Sequence, residues 1–344
     1  MASVRAVSLV ESGTFELDAR ECPAPGPSEV LVEMSDVGIC GSDIHWYEHG
    51  RMGDRAVEEP LVLGHESAGT VVEVGADVDG HAVGDRIAIE PGVPCGECEY
   101  CCRGTYNLCR DVEFMATPGT DGAFREYVAW PAEYAYGLPD AVSTREGALC
   151  EPISVGVHAV RRADVGIGDS VLVMGAGPIG LLAADVARAA GAADVAVVDV
   201  VDSKLDRAVD RGADLAIDGR EADVAAAVRE AFGTGVDAAI EATGAPPAIE
   251  SVLDVTRPDG TVVLVGLAPD TEVPVDTFEL VRRQVDVRGS YRFANTYPTA
   301  ISLIAGGDVD AAEIIDFDLP LDRVSDAFER AAEPVVVKGM ISMD

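Results

Sequence analysis

Lysine is almost absent from this chain. Only Lys204 and Lys338 occur in 344 residues, and every other cationic side chain is an arginine. Positive charge as a whole is scarce: 25 basic residues face 61 acidic ones, a formal net charge of −36. A polyanion of that density repels phosphate backbones and anionic headgroups, which argues against nucleic acid or a membrane surface as a partner. Long apolar runs are missing too. The longest, residues 171–184, spans 14 positions and is interrupted by glycine and proline, short of the roughly 18 to 20 that cross a bilayer. Met1-Ala2-Ser3-Val4-Arg5 leads into a strand-like alternation without the apolar core of a secretory signal. A soluble chain of the cytoplasm is expected.

The length is about twice that of a typical domain, so two domains are expected, and 48% apolar residues suffice for two cores. The acids are spread along the chain with no long block, which predicts a uniformly acidic surface. Together with the near-absence of lysine, this resembles proteins of salt-accumulating halophilic archaea. Eight cysteines in a chain expected to be intracellular suggest metal ligands before disulfides.

Residues 1 to about 150 hold short β-type runs broken by Gly and Pro, such as 30–33, 69–74 and 86–89, and read as a β-rich unit. From about Asp169 the texture changes to strands alternating with helices of ten to fifteen residues. Strands are expected at 171–173, 195–198, around 216, 236–240 and 261–265. Helices are expected from the glycine turn to about 190, from 203, at 224–232 and after Pro247. That alternation predicts βαβ units and a doubly wound parallel sheet.

Three motifs carry chemistry. Cys95, Cys98, Cys101 and Cys109 form C-x2-C-x2-C-x7-C; four thiolates so placed can close a tetrahedral shell around a structural Zn²⁺. An iron-sulfur cluster is the rival reading, and the adjacent Cys102 is spare. Gly175-Ala176-Gly177-Pro178-Ile179-Gly180 is a G-x-G-x-x-G between a strand and a helix, the arrangement that brings backbone and helix N-terminus against a pyrophosphate. Asp199 follows Gly180 by 19 residues at the end of the next strand, where a carboxylate can accept from both ribose hydroxyls and repel a 2′-phosphate. NAD is therefore favoured over NADP, unless Asp199 is an ordinary strand-end acid. The third motif is Gly64-His65-Glu66, continued by Gly69 and Gly75, with Cys40-Gly41-Ser42-Asp43-Ile44-His45 upstream.

With these residues, with His45 to Arg51, Ala116-Thr117-Pro118, Glu151 to His158 and Tyr291-Arg292-Phe293, the chain resembles the zinc-dependent medium-chain dehydrogenases over essentially its whole length. Within them it is similar to the sorbitol and xylitol dehydrogenases. The resemblance implies a GroES-like β-barrel catalytic domain (1–153 and 291–344) around a Rossmann NAD-binding domain (154–290), the active site lying in the cleft between them. It implies a homodimer or homotetramer, with a sheet-edge strand near 285–289 available for pairing. It implies two zincs per chain. The catalytic one would be held by Cys40, His65 and Glu66 with Glu151 nearby, and would act as a Lewis acid on the substrate hydroxyl before hydride passes to the nicotinamide. Cys150 is the rival for Glu151, since the alcohol-dehydrogenase branch has a cysteine there. If the segment is extended, neighbours face opposite ways and only one meets the metal. Ser42 and His45 would relay the proton. Lys204, Thr243, Val265 and Gly266 would join the cofactor site, and Arg292, Thr117, Phe114 and Tyr47 would bind a polyol. Phe293 and the order Trp46-Tyr47 depart from the sorbitol pattern. A threonine-type or sugar dehydrogenase of the same family, and a non-catalytic NAD-binding redox regulator, are the alternatives.

Overall fold

The computed structural model describes residues 3–53, 55–268 and 272–343. The chain forms two compact units, one of Met1–Glu151, Ala300–Ala305 and Asp310–Asp344, the other of Pro152–Thr299 and Gly306–Val309. In the first, the Val/Ile-rich runs become strands Glu29–Gly38, Glu66–Val74 and Arg86–Ile89, antiparallel neighbours in a seven-stranded sheet. The C-terminal strand Lys338–Ser342 lies on the other flank of Glu29–Gly38, Met340 opposite Gly38. A smaller sheet pairs Ser3–Glu11 with Thr14–Glu21 and Leu61–Val62. The core of this unit contains Val30, Val32, Trp46, Ile87, Ile89, Phe124 and Phe328.

The register of the large sheet sets up the site. Gly38 ends its strand directly opposite Glu66, which begins the next. Ile39 N–H donates to the Gly339 carbonyl at 3.0 Å. Three chain segments distant in sequence thus meet at one end of the sheet.

The second unit is a six-stranded parallel sheet. Its order is Leu215–Asp218, Asp194–Asp199, Ser170–Met174, Val236–Glu241, Thr256–Leu264, Asp286–Gly289. The central strands Ser170–Met174, Asp194–Asp199 and Val236–Glu241 are near-continuously apolar and mostly buried, as such a sheet requires. The strand order reverses between Ser170–Met174 and Val236–Glu241, the point where open α/β sheets bind ligands. Residues 291–299 belong to this unit and not to the β-rich one, contrary to the expected boundary at 291. Arg161 ties them down, donating to the Asn295 carbonyl at 2.8 Å and to Thr299 Oγ1 at 2.9 Å.

Candidate active site

Cys40 stands where strand Glu29–Gly38 gives way to helix Gly41–His49, and His65 and Glu66 where strand Glu66–Val74 begins. One ligand atom from each of the three lies within 4.8 Å of the other two. His65 and Glu66 are buried. A half-buried thiol beside a buried imidazole and a buried carboxyl forms a donor set suited to Zn²⁺.

Asp43 orients two of the three. It is fully buried; Cys40 N–H donates to its Oδ2 at 3.0 Å and Gly64 N–H to its Oδ1 at 3.2 Å. The same Oδ1 faces His65 Nδ1 at 3.4 Å. A carboxylate behind one ring nitrogen fixes the tautomer and aims the other nitrogen at a metal. Burial works against charge on His65, but Asp43 and Cys40 outweigh it and hold the imidazole well above its usual range.

Glu151 is 5% exposed. Burial raises its carboxyl to about 7, Glu66 and Asp43 push the same way, and His65 and Lys338 oppose them. It shares the field of the site but lies outside the group of three converging atoms. The expectation of an extended segment here is overturned: Cys150 and Glu151 open the helix Cys150–Ala163. Successive residues there differ by about 100°, not 180°. Cys150 is wholly buried, and burial pushes its thiol up.

The other cysteine group is as compact. The sulfurs of Cys95, Cys98, Cys101 and Cys109 lie within 4.8 Å of one another. Cys98 and Cys101 are 3.4 Å apart and Cys95 and Cys101 3.9 Å, far beyond the roughly 2 Å of a disulfide. Backbone N–H groups of Cys95 and Cys98 donate to the Cys109 and Cys95 sulfurs, each at 3.4 Å. Cys102 instead bonds the Glu97 carbonyl at 3.5 Å and stays outside. Buried Glu90 anchors the loop by accepting from Tyr106 and Tyr136 hydroxyls, both at 2.9 Å.

In the parallel-sheet unit, Gly177 caps helix Pro178–Ala189 without a side-chain bond, and Pro178 starts it. That leaves N–H groups at the helix start for a ligand. A Cβ at Gly180 would overlap the Gly175 carbonyl, whereas one at Gly177 would meet nothing. The first glycine is therefore demanded by packing and the second leaves open space. Ile179 follows in the first turn. Asp199 ends its strand, and its carboxylate also braces the loop, accepting from Ala176 N–H at 2.6 Å, Val200 N–H at 2.7 Å and Val201 N–H at 2.9 Å. Thr243 lies beside Gly175, near enough that its Cγ2 would crowd a Cβ there. It is held by fully buried Glu241, which accepts from the Thr243 hydroxyl and from Thr243 N–H at 2.7 Å. Val265 and Gly266 N–H groups donate to the Glu241 carbonyl at 2.8 and 3.1 Å. Lys204 sits in the first turn of helix Asp202–Asp210.

The residues expected to meet substrate are placed unequally. The Phe114 ring lies 5.7 Å from that of His65, and Thr117 donates to the Phe114 carbonyl at 2.7 Å. Tyr47 stacks on Phe15 at 4.9 Å and packs near Phe328, as part of a hydrophobic core. Arg292 has a left-handed backbone (φ 51°) and its guanidinium lies 4.9 Å from the Tyr291 ring centroid. Ser42 and exposed His45 are three residues apart on helix Gly41–His49, where such positions share a face; the His45 ring meets that of His49 at 4.6 Å.

Sequence reasoning missed Asp43, Glu241 and Lys338. The last is one of two lysines in the chain, a rarity that could have marked it. Lys338 is 1% exposed and donates to Glu66 Oε1 and Oε2 at 2.8 Å each and to the Ile39 carbonyl at 3.0 Å. Burial works against its charge, and Glu66, Cys40 and Glu151 more than restore it.

Two family models match the chain: an alcohol dehydrogenase GroES-like domain over residues 26–140 and a zinc-binding dehydrogenase over residues 178–306. Sorbitol dehydrogenase of Gallus gallus is 44% identical over 342 residues, covering 98% of this chain and 96% of that protein. The Bacillus subtilis (strain 168) sorbitol dehydrogenase is 41% identical over 329 residues, covering 95% and 93%. Among solved structures, a Sinorhizobium meliloti 1021 protein described as a zinc-binding dehydrogenase and bound to NADP superposes with a TM-score of 0.93. It is 32% identical over 99% of this chain and 100% of its own.

Proposed function

The chain belongs to the zinc-binding dehydrogenases with a GroES-like domain, and we propose that it oxidises a secondary hydroxyl of a sugar alcohol, of the sorbitol, xylitol or arabitol type, to the ketose with NAD. The observation that carries this reading is the convergence of Cys40, His65 and Glu66 in a chain that matches sorbitol dehydrogenases almost end to end. Those three would hold the catalytic zinc, with Glu151 beside them, and Cys95, Cys98, Cys101 and Cys109 a structural zinc. When bound, the catalytic zinc supplies Lewis-acid polarisation of the hydroxyl.

The chain's own residues do the rest. Asp43 keeps His65 aimed, and Phe114 with Thr117 walls the region beside His65. Arg292 offers five donors in a rigid fork, suited to vicinal hydroxyls beyond the reacting carbon. Ser42 and His45 carry the released proton along one face of their helix to solvent. The nicotinamide cofactor takes the hydride; Gly175, Gly177, Pro178, Ile179 and Gly180 seat its pyrophosphate, with Lys204, Thr243, Val265 and Gly266 around it. Asp199 accepts from the ribose and disfavours a 2′-phosphate, which selects NAD although a related structure holds NADP. We place the enzyme in a salt-rich cytoplasm, as a homodimer or homotetramer. Among the described residues no helix is long and apolar enough to cross a membrane.

An oxidation assay over C4 to C6 polyols and simple secondary alcohols, with NAD and NADP in strong salt, tests the reading. NAD reduction by sorbitol or xylitol well above that by 2-butanol is expected. Equal efficiencies would withdraw the polyol assignment.

A further inference from the structure

Arg292 and Asn295, neither of them glycine, both have left-handed backbones, with φ of 51° and 57°. Side chains rarely adopt that conformation unless their surroundings impose it, and such positions gather at functional sites. Here the surroundings are specific. Phe293, Ala294, Thr296 and Tyr297 are buried, and the Phe293 and Tyr297 rings lie 5.7 Å apart. Two consecutive arginines at the end of helix Cys150–Ala163 hold the chain on either side of the turn. Before it, Arg162 donates to the Gly289 carbonyl at 3.1 Å, and Arg288 donates back to the Arg162 carbonyl at 2.8 Å and to Asp164 Oδ2 at 2.9 Å. After it, the two Nη groups of Arg161 donate to the Asn295 carbonyl at 2.8 Å and to Thr299 Oγ1 at 2.9 Å. The Arg161 guanidinium thus spans both acceptors with one rigid fork, which a single ammonium cannot reproduce.

We propose that Arg161 is a positioning residue for substrate specificity: its fork fixes the left-handed turn that carries Arg292, and so fixes how the Arg292 guanidinium meets the hydroxyls beyond the reacting carbon. This rests on the reading of Arg292 as the residue that recognises the polyol. Arg161 and Asn295 are exposed, so removing the fork opens no cavity and leaves an acceptor that water can satisfy. The loss is felt in the turn. With one end released, the backbone at Arg292 and Asn295 relaxes out of the left-handed region, and the five donors of Arg292 lose their alignment.

The test uses the full-length zinc-loaded enzyme with NAD and compares sorbitol or xylitol with 2-butanol. Arg161→Met should raise KM for the polyol about tenfold or more, since misplacement by roughly 1 Å through a change away from the chemistry can cost a hundredfold. The KM for NAD and the efficiency on 2-butanol should stay near the parent's, which a merely structural role would not leave untouched. Arg161→Lys, which can keep one of the two bonds, should recover part of the loss. In an Arg292→Ala background, Arg161→Met should cost nothing further, because Arg161 acts only through Arg292. If Arg161→Met fails to fold, Thr299→Val decides: it removes one of the two acceptors and should raise the polyol KM in the same selective way, by less. An unchanged polyol KM, equal losses on polyol and 2-butanol, or additive losses in the double variant would overturn the proposal. If Arg292→Ala alone left the ratio of polyol to 2-butanol efficiency unchanged, the underlying reading of Arg292 would fail, and the proposal with it.

Discussion

At the scale of single residues, the candidate site divides by how far apart its members stand in sequence. Cys40, His65 and Glu66 were legible because each lies in a short local motif. Asp43 was within such a motif, yet its role depends on the fold bringing Gly64, 21 residues further on, to its carboxylate. Lys338 lies 272 residues from Glu66, and no spacing rule reaches that far. Glu151→Gln should leave the fold and the zinc content intact and lower turnover about ten- to a hundredfold, the usual cost of altering groups close to a metal. Cys150→Ser should keep both zincs, because that thiol is sealed in the core; loss of the catalytic zinc would reverse the two roles. His158 offers a pH test. Burial, then Arg162 and Arg161, lower its pKa to about 4, against about 6.5 in the unfolded chain. Between those values the unfolded state binds more protons, so His158 costs the fold stability as pH falls from 6.5 towards 4. Urea melts at pH 7 and pH 5 should show a smaller acid loss for His158→Gln than for the parent, and equal losses would contradict the assignment.

At the scale of elements, the alternating half of the chain was read nearly as it is. Helix Val224–Phe232 falls where its apolar spacing placed it, and the strands of the parallel sheet follow their apolar runs. The strand ending at Leu264 begins earlier than expected, at Thr256, because Arg257-Pro258-Asp259-Gly260 reads as a turn by composition. The start of helix Cys150–Ala163 was not foreseen: the Cys150–Glu151 segment was weighed as extended chain, although Pro152 stands in the first turn of the helix, where proline is tolerated. The glycine loop and Asp199 act as one element, since the carboxylate holds Ala176 N–H. Asp199→Ala should therefore loosen the loop as well as the ribose. Losing a hydrogen bond to a charged group costs about 1.5 to 3 kcal/mol, roughly tenfold or more in NAD affinity. The NAD to NADP efficiency ratio should fall with it; an unchanged ratio would reduce Asp199 to a brace for the loop. For the cysteine loop, Cys98→Ser should lower zinc from two to one per chain and reduce the melting temperature, because a closed four-ligand site contributes directly to folding.

At the scale of the whole molecule, charge and association dominate. The formal charge of −36 repels itself over a Debye length of roughly 30 Å at 0.01 M salt but only about 3 Å at 1 M. Thermal melts should shift upward between those conditions, and coincident midpoints would contradict an adaptation to strong salt. The outer strand Asp286–Gly289 exposes Val287, and Phe278 and Val281 on helix Thr277–Arg283 are each more than 70% exposed. On the homodimer or homotetramer proposed above, with this outer strand pairing across the interface, Val287→Asp should shift the sedimentation profile towards monomer, and an unchanged profile would contradict pairing there. The central claim joins metal, cofactor and substrate, and one labelled turnover tests all three. Protein with both zincs bound, given sorbitol deuterated at all of its secondary carbons and NAD in strong salt, should place one deuterium on the nicotinamide ring and release the ketose. Removing zinc should abolish the transfer, and restoring zinc should recover it. Ketose formed without label on the nicotinamide, or full transfer by zinc-free protein, would contradict the account.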